Sequence, residues 1–126
     1  MKALVIDDSK FQRLAIQRAL TRAGYKVVTA DDGEAGLNAV ANSNPEVIIL
    51  DMMLPKVSGI DVLRTLRSAE NTRSLPVVIL TGLSEKNRER LIAEGATAFV
   101  EKSNALADGD CSPLINAIGS LARRSK

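Results

Sequence analysis

Five polar residues stand where apolar runs stop. Ala3-Leu4-Val5-Ile6 leads into Asp7 and Asp8, Val47-Ile48-Ile49-Leu50 into Asp51, and Val77-Val78-Ile79-Leu80 into Thr81. Ala98-Phe99-Val100 leads, one residue further on, to Lys102. Ligands of open parallel sheets bind beyond the carboxyl ends of the strands. Three acids, a hydroxyl and an ammonium at such ends suit a hard cation, a phosphoryl group and one carboxylate able to accept it. Mg²⁺ takes oxygen ligands in octahedral geometry, and Asp7, Asp8 and Asp51 can supply them if the first and third strands lie side by side. Clustered carboxylates repel one another, and a divalent ion removes that conflict. One carboxylate can then attack phosphorus as a nucleophile. The transferring group spreads negative charge over its equatorial oxygens. Lys102 offers a point charge there, and Thr81 a donor.

Each residue also has a plainer reading. Asp7 and Asp8 can cap a helix, Asp51 can open a turn before Pro55, and Thr81 can simply end a strand. Lys102 can be a solvated lysine, and Phe99 plain core. Their joint occurrence at strand ends favours the chemical reading.

The elements that must position these residues are legible as alternating short and long runs. Strands are expected at 2–7, 26–30, 46–50, 76–81 and 97–100. The first, third and fourth are almost continuously aliphatic, as befits strands buried on both faces of a parallel sheet. Helices are expected at about 9–23, 33–43, 58–69, 84–94 and 112–123. The first carries a broad stripe of Phe11, Leu14, Ala15, Ile16, Ala19, Leu20 and Ala23, with Ser9 as N-cap and Gly24 just past its end. Lys10, Arg13, Arg18 and Arg22 are read as its solvated face, with an acidic patch on a protein partner as the alternative. The helix at 84–94 is mostly polar and should be loosely held. The last opens with Ser112-Pro113, a good cap and first-turn pair. This alternation predicts a doubly wound α/β fold with helices on both faces of the sheet.

Composition narrows the function. The 126 residues fit one domain, 1–126. With 17 basic and 15 acidic residues the net charge is +2, which implies no polyanion partner. Aromatics are 2% of the chain, too few for a base-stacking surface. Arg123-Arg124-Ser125-Lys126 reads as a solvated basic end. Cys111 is the only cysteine and there is no histidine, so neither an internal disulfide nor a Cys–His nucleophile is available. No apolar stretch approaches the ~20 residues of a membrane span. A cytoplasmic protein is expected.

The chain resembles the receiver domain of bacterial two-component response regulators. The matching text is Val5-Ile6-Asp7-Asp8-Ser9, Asp51-Met52-Met53-Leu54-Pro55-Lys56-Val57-Ser58-Gly59, Leu80-Thr81-Gly82 and Phe99-Val100-Glu101-Lys102, in that order. The resemblance implies a flavodoxin-like, five-stranded parallel sheet of order 2-1-3-4-5. It implies that Asp51 is the phosphoacceptor, that Asp8 binds Mg²⁺ (or Mn²⁺) directly, and that Asp7 helps through water. The Met53 carbonyl is a further ligand. Thr81 hydrogen-bonds the phosphoryl group and moves toward it, Phe99 swings inward with Thr81, and Lys102 pairs with a phosphoryl oxygen. A histidine kinase or histidine phosphotransfer protein is the implied donor. The implied output is a downstream protein docking on the face of the 84–94 helix, the fifth strand and the last helix, as in stand-alone chemotaxis-type regulators. A phosphorylation-dependent homodimer stays open.

Two departures from the family pattern bear on that output face. Ser103 stands where a proline usually follows the lysine, which predicts a trans peptide bond or a rebuilt loop, because a cis bond before a non-proline residue costs about 3 kcal/mol. The segment 103–111 is also longer than usual. The residues two after Asp51 and two after Thr81 are Met53 and Leu83. Neither can orient a water by hydrogen bonding, so self-dephosphorylation should be slow. Two rivals remain. An aspartyl-nucleophile phosphatase of the haloacid dehalogenase type wants acids two apart at the first strand, where this chain has Asp7 and Ser9. A receiver-like docking module that is never phosphorylated has no need of the five site residues. On the leading reading the protein is not a conventional enzyme, but catalyses its own phosphorylation and slow dephosphorylation.

Overall fold

A computed structural model describes residues 2–52, 54, 57–81, 92–101 and 112–124; of Thr81, Phe99, Glu101, Ser112 and residues 121–124 it describes the backbone. The elements are β1 (Lys2–Ile6), α1 (Lys10–Arg22), β2 (Lys26–Ala30), α2 (Gly33–Ser43), β3 (Val47–Asp51), α3 (Gly59–Ser68), β4 (Val77–Thr81), β5 (Ala98–Glu101) and α4 (Ser112–Arg124). The strands form one parallel sheet, ordered β2-β1-β3-β4-β5. The expected alternation is therefore present, with strand ends within a residue of those read from the sequence. Of the helix expected at 84–94, only its last residues are described.

Aliphatic alternation explains the layering, because successive residues of a strand face opposite sides. On one side Ala3, Val5, Val47, Ile49, Val78, Leu80 and Val100 pack with Ile16, Ala19 and Leu20 of α1 and Leu114 and Ile118 of α4. On the other, Leu4, Ile6, Ile48, Leu50, Val77 and Ile79 pack with Val40 of α2 and Val62, Leu63 and Leu66 of α3. Both faces of the sheet are thus covered by helices.

The helix ends follow local chemistry. Ser9, Asp32 and Ser58 are N-caps whose side chains accept from Gln12, Ala35 and Asp61 amides. Asn44 closes α2 in the left-handed region at φ 49°, and Gly24 follows α1 at φ 99°. The stripe on α1 is narrower than the sequence suggests. Phe11 is 88% exposed and Leu14 37%. At ~100° per residue, Leu14 lies roughly opposite the buried Ile16, Ala19 and Leu20.

At the amino ends of β4 and β5, one side chain organises the polar groups. Arg67 of α3 donates from Nε to the Gly95 carbonyl (2.8 Å) and from Nη1 to the carbonyls of Leu75 (2.7 Å), Arg73 (3.1 Å) and Thr72 (3.3 Å). Its Nη2 donates to Thr97 Oγ1 (3.2 Å), which also accepts from the Val77 amide (3.0 Å). A Cβ on Gly95, which sits at φ 114°, would come within 2.7 Å of the Arg67 side chain. Nearby, Arg64 and Glu94 form a bidentate pair with both bonds at 2.8 Å.

Candidate functional site

Strand register brings the predicted acids together. β1 pairs with β3, with Ile6 opposite Leu50, so the residues that follow lie side by side. Asp51 is the last residue of β3 and pairs with Leu80; Thr81 ends β4 opposite Glu101. Asp7, Asp51 and Thr81 therefore share the carboxyl edge of the sheet. Phe99 lies within β5, opposite Ile79. Lys102, Met53 and the Lys102–Ser103 peptide bond lie outside the described residues.

Carboxylate oxygens of Asp7, Asp8 and Asp51 all lie within 4.8 Å of one another. Asp7 and Asp51 are each 1% exposed, while Asp8 faces solvent. Like charges at this spacing repel one another, and a cation or hydrogen-bond donors offset that repulsion. The donor set is all oxygen, which suits a hard divalent ion. An octahedral ion with bonds of ~2.1 Å spaces its ligands by ~3–4 Å, so the cluster fits with small shifts. One side of the cluster is open through Asp8, and the other is backed by the apolar ends of β1 and β3.

The turn after β1 is tightly specified. The Asp7 amide donates to the Ala30 carbonyl at 3.1 Å, and the Ser9 amide to Asp7 Oδ1 at 2.9 Å. Arg13 Nη1 donates to the Asp7 carbonyl at 2.8 Å. Arg13 is thus not part of the solvated face assigned to it from sequence: it is half-buried, whereas Lys10, Arg18 and Arg22 are exposed. A signal was present, because residue 13 stands three and seven before Ile16 and Leu20, on the flank of the buried stripe.

The turn after β3 is held by close backbone approach. Gly59 opens α3, and its amide donates to the Met52 carbonyl at 3.3 Å. A Cβ there would lie 2.7 Å from both the Asp51 carbonyl and Met52 Cα. A Cβ on Gly33 of α2 would likewise collide with the Val57 carbonyl. Two helix starts thus pack closely against Met52 and Val57.

The family model of the response regulator receiver domain matches residues 3–109. The chain belongs to this family. It is 34% identical to the response regulator MprA of Mycobacterium avium, over 100% of this chain and 53% of that protein. The receiver therefore spans about half the length of the curated relatives it matches. Among solved structures, the receiver domain of the Francisella response regulator 1452 superposes with a TM-score of 0.87 at 30% identity, covering 99% of this chain and 98% of that one. The Mn²⁺-bound form of response regulator Rcp1 superposes with a TM-score of 0.76 at 25% identity, covering 86% of each chain. These likenesses establish an α/β flavodoxin-like receiver fold and a place in two-component signalling. Among the described residues of this receiver, no helix is long and apolar enough to cross a membrane.

Proposed function

We propose that residues 1–126 act as one receiver unit that accepts a phosphoryl group on Asp51 in a Mg²⁺-dependent reaction and changes conformation to bind a downstream protein. The observation that carries this reading is the convergence of Asp7, Asp8 and Asp51 within 4.8 Å at the carboxyl edge of the sheet. Asp7, Asp8, Asp51 and the Met53 carbonyl are the ligands assigned to Mg²⁺ or Mn²⁺, and the Mn²⁺-bound relative supports that choice. When bound, the ion supplies positive charge that draws the incoming phosphate toward the carboxylates.

The chain's own groups do the rest. An Asp51 oxygen attacks phosphorus, and the bond to the donor's leaving group breaks. Thr81 donates a hydrogen bond to the transferred group and Lys102 neutralises one of its oxygens. Thr81 and Phe99 form the switch, and phosphorylation shifts the population toward the binding-competent form. With Met53 and Leu83 unable to orient water, loss of the phosphoryl group is slow. The donor is a histidine kinase or a histidine phosphotransfer protein. The target docks where β5 and α4 meet the segment before β5, and a phosphorylation-dependent homodimer would use the same face. Neither nucleic acid nor membrane is a direct partner, and the setting is cytoplasmic.

Incubation with acetyl phosphate tests the reading. With Mg²⁺ the chain should gain one stable phosphoryl group, and Asp51→Asn or chelation should abolish it. Continuous release of phosphate would instead indicate an aspartyl phosphatase. No labelling of the folded wild-type chain would indicate a docking module.

A further inference from the structure

Arg13 brackets the turn that carries Asp8. Its amide donates to the Ser9 carbonyl at 2.9 Å, and its guanidinium reaches back to the Asp7 carbonyl at 2.8 Å. The Asp7 carbonyl lies past the last β1–β2 pair, Ile6 with Ala30, so the sheet ladder does not orient it. Asp8 makes no hydrogen bond to another described residue. Its place beside Asp7 and Asp51 is therefore set by the backbone of the turn, where the Ser9 end is held by the first helical bond and the Asp7 end by the Arg13 side chain.

We infer that Arg13 is a positioning residue for the acidic cluster: it fixes the Asp7–Ser9 turn so that Asp8 presents its carboxylate to the same divalent ion as Asp7 and Asp51. The inference rests on the divalent site proposed above. Groups that orient ligands from behind alter metal affinity by about 10–100-fold when removed. A cationic side chain bonded to the backbone of this turn also repels a cation, so charge and geometry pull in opposite directions. Removing Arg13 for its charge alone would tighten ion binding; removing it as a positioner weakens binding.

Mn²⁺ titration of the unphosphorylated chain, with free Mn²⁺ counted by electron paramagnetic resonance, separates these roles. Arg13→Met should weaken Mn²⁺ binding about tenfold. Arg13→Lys keeps the charge but loses the planar fork, and should fall between wild type and Arg13→Met. Arg18→Met, on the exposed side of the same helix, should match wild type. Unchanged or tighter binding by Arg13→Met, with wild type binding normally, overturns the inference; so does a drop in melting temperature with no change in Mn²⁺ affinity. If Arg13→Met does not fold, Arg13→Lys decides: weaker binding supports the role, and wild-type or tighter binding overturns it. A wild-type chain that binds no Mn²⁺ would instead bring down the divalent site itself, and the inference with it.

Discussion

The two ends of the sheet treat charge in opposite ways. At the amino ends of β4 and β5, one cation, Arg67, meets five oxygen acceptors, four of them backbone carbonyls. At the carboxyl ends of β1 and β3, three carboxylates of like sign meet each other. The first arrangement is complete in itself: burial pushes the Arg67 guanidinium down from its ordinary pKa, yet its bonds keep it in place. The second gathers like charges, with the Ser9 amide donating to Asp7 Oδ1. At one end unlike groups are matched, and at the other like charges are gathered.

Breaking the amino end should have the largest effect on stability. Arg67→Met strands several part-buried carbonyls and should cost about 2–4 kcal/mol in chemical denaturation. The folded variant should still bind divalent ions as wild type does; lost binding would mean that the two ends are coupled. The carboxyl end should respond to the ion instead. Mg²⁺ at ~100 times its dissociation constant should stabilise the fold by about 2.7 kcal/mol. Asp8→Asn should remove most of that gain, and an undiminished gain in this variant would place the ion elsewhere. Gly59→Ala forces a methyl against the Asp51 carbonyl and should cost about 1–3 kcal/mol. It should also slow phosphoryl labelling, whereas destabilisation with labelling intact would show that the Asp51 turn tolerates displacement. Least of all should come from Glu94→Gln. Its Arg64 partner is exposed, and such pairs contribute little; a marked fall in melting temperature would give this pair a structural share in the Arg67 cluster.

The two ends were not equally legible in the sequence. Aliphatic runs such as 47–50 and 77–80 announce doubly buried strands, and Ser9, Asp32 and Gly24 mark helix ends through local chemistry. The acids were legible because each follows a strand, and strand ends of a parallel sheet converge. What the pattern hid was long-range. Arg67 lies in an ordinary polar position of α3, and its acceptors are carbonyls, which any residue carries. Arg13 was masked by its charged neighbours on α1. Phe11 and Leu14 read as core in the sequence because apolar residues on an arc look alike, whichever side the sheet takes.

Pairing of β1 with β3 has a consequence for synthesis. Asp7 and Asp51 are separated in the chain by α1, β2 and α2, so the acidic triad exists only after that whole excursion has folded back on itself. A chain still on the ribosome, or one whose first strand has come loose, offers only scattered aspartates. The clustering of the three carboxylates is thereby tied to a finished α/β layer.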